Sequence, residues 1–430
     1  MPGKARALAT VTLLTSVLVA TAASAQAADA ISAPTISAPL GGIGPYPVGT
    51  AVTFTFSEQG AGPAVAYQYT LNGSPVRTVS AADGTASVPI VPIRRTSYLT
   101  AYAVAADGTV SAGTLDIFYA ISAVPAPDKD MNGDGNPDLV TVGGTTGLPS
   151  GLWLATGKPR HSRAAEIGQL NKPATDIGVN GNSVNSGGGG PADFDGAQVI
   201  TGLFAADGFQ DVLLYYPAGN DAGGGVVIAG SGDGSPLIPI SGNAYTISAG
   251  SLSDANGDNP LQVVNAYGSI YGTGLPDLVA TSGDPVNGYY LDYYAAGAPG
   301  AYINTFAIHA PTPDGTADWN DWTLATLSYS GGTGLFMWNG QTGALYLWTG
   351  VTFTDNGDGT GSVAYTQYKI SAAWNKGKAL ATLEAADFDA DGVPDLWGVT
   401  PAGVATAYVI SHLSLTAEAR ITAGMPQKLP

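Results

Sequence analysis

From Asp128 onward the chain repeats itself. At Asp138, Asp211, Asp277 and Asp395 a glycine-containing turn ends in an acid and runs directly into an apolar segment, as in Asp211-Val212-Leu213-Leu214 and Asp395-Leu396-Trp397. Met337 occupies the same position once, and the intervals between the five markers are 73, 66, 60 and 58 residues. After each marker a Gly-rich turn leads to a second short apolar run: Leu152-Trp153-Leu154, Val226-Val227-Ile228, Tyr290 to Tyr293, Leu345 to Trp348 and Val404 to Ile410. A period near 60 residues built only of short strands is the size of one four-stranded unit in a radial array. The period predicts about five such units.

Two of the turns carry more chemistry than a turn needs. Asp130-Met131-Asn132-Gly133-Asp134-Gly135-Asn136-Pro137-Asp138 and Asp387-Phe388-Asp389-Ala390-Asp391-Gly392-Val393-Pro394-Asp395 both place side-chain oxygens at positions 1, 3, 5 and 9, with glycine at position 6. Carboxylates packed this densely repel one another unless a divalent cation lies among them, and an all-oxygen set suits a hard cation such as calcium. A helix-flanked EF-hand loop would need an acid at position 12. That position is Thr141 in one loop and Gly398 in the other.

Asp-x-(Asp/Asn)-x-Asp-Gly-x-x-Asp-(Leu/Val), recurring ahead of apolar strands over roughly residues 128 to 430, resembles the FG-GAP or VCBS-type repeat of integrin-alpha-like β-propellers. The resemblance implies that Asp130, Asn132, Asp134 and Asp138 bind Ca2+ through side chains and Asn136 through its carbonyl. It implies the same of Asp387, Asp389, Asp391 and Asp395, with the Val393 carbonyl. The middle units depart from the pattern. Asp193 and Asp195 are separated from Asp207 and Asp211 by an insertion containing Gln198-Val199-Ile200, so a second site requires the insertion to fold beneath the loop. Asp254 and Asn256 are separated from Thr273 and Asp277 in the same way, and the Met337 unit is expected to hold no metal.

Ahead of the repeats, residues 31 to 124 show short runs of two-residue alternation, such as Val52 to Phe56 and Tyr98 to Val104, divided by Asn72-Gly73, Asp83-Gly84 and Asp107-Gly108 turns. This pattern resembles an immunoglobulin- or fibronectin-like sandwich, though without the Cys-Trp-Cys framework. The expected order is a signal peptide over residues 1–25, a sandwich over 31–124, a short Pro-containing linker over 125–129 and a propeller over 130–430. The fold class is therefore all-β.

The first 25 residues read as an export signal: Lys4 and Arg6, an apolar stretch from Leu8 to Ala22, then Ala23-Ser24-Ala25. A secreted product follows. The chain has no cysteine, so packing and bound metal must supply stability without disulfides. All but four of its 33 acidic residues are Asp, which favours turns and oxygen cages over helix surfaces. The net charge of −18, about −20 once the signal is removed, argues against nucleic acid or anionic membrane partners. No later stretch reaches the length of a transmembrane helix.

No catalytic motif is present, and His161, His309 and His412 stand alone. Glu166 and Glu384 are the first carboxylates to consider for glycosidic cleavage. The expectation is nonetheless not an enzyme but a monomeric extracellular binding or adhesion module for a polysaccharide, cell-wall component or protein. A polysaccharide-active enzyme and a purely structural surface protein are the alternatives. Most of the aromatics read as core. Trp319 and Trp322, in a polar Asp-rich stretch, are candidates for ligand contact. The glycine-rich run from Asn180 to Gly190 reads as an insertion.

Overall fold

The computed structural model describes residues 31–58, 64–144, 147–159, 166–178, 190–238, 242–316 and 318–429. The export signal, His161 and the stretch from Asn180 up to Gly190 lie outside them. The chain is all-β, 46% strand and 3% helix. No helix among the described residues is long and apolar enough to cross a membrane.

Eight strands come first: β1 (Thr35–Ser37), β2 (Tyr46–Pro47), β3 (Val52–Ser57), β4 (Ala66–Leu71), β5 (Arg77–Ser80), β6 (Thr85–Ile90), β7 (Thr96–Val104) and β8 (Thr114–Ile121). They make a three-stranded sheet of order β1-β3-β6 and a five-stranded sheet of order β2-β8-β7-β4-β5. Alternation in the sequence becomes alternation in burial, with every second residue of β6 buried. The chain divides into two compact units, and the division passes through β1, β3, β6, β7 and β8 instead of falling at the Pro125–Pro127 segment. In the described part of Met1–Ile36 with Thr55–Ser87 and Thr100–Leu115, Phe56 packs on Tyr67 and Tyr69. The other unit comprises Ser37–Phe54, Val88–Leu99 and Asp116–Pro430, and Tyr46, Phe54 and Phe118 form a mutual aromatic trio there. The expected linker is bonded down within this unit: Ser122 N–H donates to the Asp207 carbonyl at 2.9 Å and Ala126 N–H to that of Gly208 at 2.9 Å.

The rest of the larger unit is a succession of antiparallel runs. β9 (Leu139–Val142), β10 (Leu152–Ala155) and β11 (Thr175–Asp176) form a three-stranded sheet, and β12 (Gln198–Gly202), β13 (Asp211–Tyr216), β14 (Gly224–Ile228) and β15 (Ala244–Ile247) a four-stranded one in chain order. Next come β16 (Gln262–Asn265), β17 (Leu278–Asp284), β18 (Gly288–Ala298) and β19 (Ala301–Ile308), then β20 (Trp322–Tyr329), β21 (Gly332–Asn339), β22 (Leu345–Asp355) and β23 (Thr360–Ser371). A short parallel junction, Ala307 with Thr360 and Ile308 with Gly361, joins these two runs into one eight-stranded sheet. Its end strands β16 and β20 touch, so that the sheet nearly closes on itself. The last sheet holds β24 (Thr382–Ala386), β25 (Asp395–Val399), β26 (Val404–Ser411), β27 (Arg420–Ala423) and β28 (Gln427–Lys428).

The segments around Gln198 and Gln262, expected as insertions, are the leading strands β12 and β16. The strands that follow Asp211 and Asp277 are second in their runs. Apolar burial on both faces explains this placement. In β13, Val212, Leu214 and Tyr216 enter the core shared with Leu152 and Leu154, while Leu213 and Tyr215 enter the core shared with Val263 and Leu278. A strand buried on both sides reads as a continuous apolar run because each parity serves a different neighbour. Three further cores repeat the arrangement: Val279 and Tyr293 with Leu335 and Trp348; Phe336 and Trp338 with Leu396 and Ile410; and Trp397 and Val399 with Leu139 and Ala155. The fifth returns to the first sheet.

The first strand of each run touches that of the next in the same order: β9 with β12, β12 with β16, β16 with β20, β20 with β24. Thr141 on β9 and Thr382 on β24, hydroxyl to hydroxyl at 2.7 Å, complete the circuit. Glutamine amides stitch neighbours by imitating a strand's backbone. Gln198 donates to the Leu261 carbonyl (2.7 Å) and accepts from Val263 N–H (3.1 Å). Gln262 does the same to Leu324, at 2.7 and 2.8 Å.

Among the described residues no strand precedes β9 in the first run. The chain instead enters through Asp128 and Lys129, whose side chains reach the other four runs. Asp128 accepts from the Tyr267 hydroxyl (2.8 Å) and from Ser328 N–H (2.9 Å). Lys129, only 3% exposed, donates to Glu384 on β24 and to the Thr201 hydroxyl on β12. Removing one member of a buried ion pair strands the other charge, at about 3 to 5 kcal/mol, whereas removing both leaves no such charge. Lys129→Met is expected to lose stability on that scale in chemical denaturation, and Lys129→Met combined with Glu384→Leu to recover most of it.

Candidate metal centre

The acid that closes each repeat is buried, and in every copy it does the same job on the backbone. One oxygen of Asp138 accepts Met131 N–H at 3.0 Å and the other Gly157 N–H at 2.8 Å. Asp211 takes Ala205 and Gly230 at 2.7 and 2.8 Å, Asp277 takes Ile270 and Ala296 at 2.6 and 2.7 Å, and Asp395 takes Phe388 and Ile410 at 3.1 and 2.7 Å. The first partner lies in the acid's own loop and the second beyond or within the strand that follows. Each aspartate therefore clamps a loop to its sheet. This role persists at Asp277, whose loop places Ser269, Tyr271 and Thr273 where a cation cage would have acids. At Met337 the clamp is unnecessary, because β20 and β21 are joined by a tight hairpin and pair continuously from Trp322 to Tyr329.

The loop ahead of β25 brings three carboxylates together. Oxygens of Asp387, Asp389 and Asp395 lie within 4.8 Å of one another, and among the described residues no other acidic group is gathered so closely. Gly392 at position 6 has φ +81°, which supplies the expected sharp turn. Its N–H bonds Asp387 Oδ2 at 3.1 Å, leaving Asp387 Oδ1 buried without a hydrogen-bond partner. Burial, with the neighbouring charges of Asp389 and Asp387, pushes the Asp395 carboxyl up to about 8, and burial also raises Asp389. An orphaned, buried carboxylate oxygen inside an all-oxygen cluster is the donor set of a hard cation. Asp387, Asp389 and Asp395 would hold it. Asp391 stands outside the group of three, and its Oδ1 accepts Val393 N–H at 2.7 Å.

The loop ahead of β9 has the same backbone plan, with Gly135 at φ +84°, but its oxygens are turned inward. Asp130 accepts N–H groups from Gly133 (2.8 Å), Asp134 (3.1 Å) and Gly135 (2.8 Å). Asn132 accepts Asp134 N–H, and Asp134 accepts from Asn136, all within the one loop. Asp130, Asp134 and Asp138 do not converge as the later trio does.

The second expected site does not assemble. Asp193 and Asp195 precede β12, whereas Asp207 and Asp211 follow it. Gln198 pairs with Tyr215 at one end of that strand and Gly202 with Asp211 at the other, so the two pairs of acids lie at opposite ends of a five-residue strand. Asp195 accepts the Ser150 hydroxyl at 2.8 Å. Asp207 is paired with the guanidinium of Arg95, which also donates to Asn243. A fixed positive side chain thus stands beside Asp207 where the sequence suggested a cation. Arg95 carried no repeat signal, since it comes from a region outside the repeats.

Trp319 and Trp322 are 1% and 4% exposed, the first donating to the Ala310 carbonyl at 2.8 Å. Both belong to the core between β16–β19 and β20–β23. Glu384 is committed to Lys129, and Glu166 lies 3.7 Å from Lys158. A carboxylate that the sequence did not single out, Asp292 on β18, is 1% exposed. It accepts the hydroxyls of Tyr294 (3.1 Å) and Thr305 (3.2 Å).

No protein-family profile matches the chain, and no curated protein sequence matches it. Of the solved structures that align, three do so as follows, all at low similarity. A mutant of AofleA from Arthrobotrys oligospora, with three arginines changed to alanine, aligns at 11% identity and TM-score 0.31, covering 77% of this chain and 84% of that one. The exotype rhamnogalacturonan lyase YesX aligns at 12% identity and TM-score 0.23, covering 87% and 58%. A tetra-tandem repeat from the extending region of a large adhesion protein aligns at 12% identity and TM-score 0.17, covering 93% and 99%.

Two outcomes follow from the clamp and from Asp292. Asp277→Ala leaves two backbone N–H groups without their acceptor, at roughly 1 to 3 kcal/mol each. The loss in denaturant midpoint is expected to be equal in calcium and in chelator. Burial pushes the Asp292 carboxyl up to about 6, so the folded chain keeps a proton that the unfolded chain has released. This position's contribution is fully present below the unfolded value of about 4 and is lost as pH rises through about 6. Asp292→Asn should therefore gain on the parent chain between pH 4 and 7, by at most roughly 3 kcal/mol in urea titrations at the two pH values.

Proposed function

We propose that this chain is a secreted, calcium-stabilised binding module: a small β-sandwich followed by a five-bladed propeller of the FG-GAP or VCBS kind. The observation that carries the reading is the circuit of five runs with a core at each junction, one of whose loops gathers Asp387, Asp389 and Asp395 around an unpartnered buried oxygen. The first blade uses Asp128 and Lys129 in place of a leading strand. The parallel junction of β19 and β23 is a contact between the outer strands of the third and fourth blades.

The cation's contribution is structural: it neutralises carboxylates that cannot otherwise share a loop, and so fixes the chain's approach to β25. Calcium sites of extracellular modules bind at about 10⁻⁴ to 10⁻³ M, which at millimolar calcium adds on the order of 1 kcal/mol. The geometry favours one site, at Asp387, Asp389 and Asp395, over the loop of Asp130, Asn132, Asp134 and Asp138. The partner in this reading is an extracellular polysaccharide, cell-wall component or protein, bound by a monomer without turnover.

Asp387→Ala is expected to lower the melting temperature in millimolar calcium by a few degrees and to leave it almost unchanged in chelator. Equal losses in both buffers would remove the cation from this loop. A glycan array with and without calcium, followed by a turnover assay on each hit, tests the binding reading. Product release would replace it with an enzyme.

A further inference from the structure

The circuit of leading strands encloses a cavity of about 330 Å³, lined by β12, β16, β20 and β24. Lys129 and Glu384 are its charged lining residues. Leu261, Asn320 and Ala381, all exposed and each one or two residues ahead of a leading strand, form its rim. The rim is thus at the opposite end of the leading strands from the acidic loops, which follow those strands.

Its chemistry is that of a neutral polar site. Lys129 is neutralised by Glu384, so a charged ligand would be desolvated without gaining a counter-charge. Glu384 engages Lys129 through Oε1, and Oε2 makes no hydrogen bond to any described residue. Each leading strand pairs along one edge with the second strand of its run and turns the other edge to the axis. The glutamine amides satisfy only part of those edges, at Leu261, Val263 and Leu324. Thr323 adds a half-exposed side chain to the wall, while Val199 and Trp322 supply apolar surface.

Hydroxyl groups both donate and accept, so a ring bearing several of them can meet strand edges of mixed polarity, with its C–H face against the apolar wall. Small-ligand pockets span about 300 to 1,000 Å³, and this cavity lies at the lower end. The volume suits one sugar ring.

We propose that the axial cavity binds a single neutral sugar residue, such as the end of a polysaccharide chain, admitted past Leu261, Asn320 and Ala381. The inference deepens the binding-module reading and rests on it. It is tested by titrating the full chain with methyl glycosides of neutral hexoses and deoxyhexoses, and with the matching uronic acids and amino sugars, read by calorimetry. At least one neutral glycoside should bind saturably and its charged counterparts at least tenfold more weakly. Thr323→Phe, which fills the wall, and Asn320→Trp, which crowds the exposed rim, should each weaken binding at least tenfold without moving the melting temperature. Absence of saturable binding by every neutral glycoside, or affinity unchanged in both variants, overturns the axial site. If wild type and both variants keep equal retention on the glycan array, the axial site falls while the binding module stands; if the wild type retains no glycan, the axial site falls and the polysaccharide partner with it.

Discussion

A buried lysine and the aspartate before it hold the centre of the larger unit. Lys129 and Asp128 together reach Thr201, Tyr267, Ser328 and Glu384, one residue in each of the four runs that follow. A ring of sheets is otherwise fastened only by contacts between nearest neighbours. Two adjacent side chains add connections to runs that are not neighbours of the first. The arrangement tolerates a buried cation because Glu384 lies within contact, and tolerates Glu384 for the same reason. Where a regular unit would have a strand of apolar residues, this chain has a charged plug.

The repeated aspartates separate two functions that the sequence writes with one letter. Asp138, Asp211, Asp277 and Asp395 each accept two backbone N–H groups, so the closing acid is a loop-to-sheet clamp whether or not its loop holds other acids. Clustering of further acids is an addition to that clamp, and among the described residues the added acids converge only in the loop of Asp387 and Asp389. Elsewhere the same need for positive charge or for donors is met from within the protein. Arg95 serves Asp207, and the N–H groups of Gly133, Asp134 and Gly135 serve Asp130. Loops that share one sequence pattern thus surround their carboxylates in different ways.

Burial of strands on both faces is why side-chain character misled in two places. Trp319 and Trp322 stand in a polar stretch of sequence, yet short-range polarity says nothing about which neighbouring sheet covers a ring. Gln198 and Gln262 look like loop residues because glutamine is seldom a core residue. Their amides are instead spent on the backbone of the next leading strand.

The spacing of Asp138, Asp211, Asp277, Met337 and Asp395, and the apolar runs after each, are local facts about hydrogen-bonding capacity and strand propensity. They were enough to specify an all-β chain of about five repeating runs, sharp glycine turns at Gly135 and Gly392, and acids at the head of strands. What a carboxylate does depends on which donors and charges surround it in space, and those come from segments distant in the chain. Only the tertiary structure could therefore place Arg95 against Asp207, put Asp193 and Asp195 at the far end of β12, and bring Lys129 to Glu384, 255 residues on in the chain.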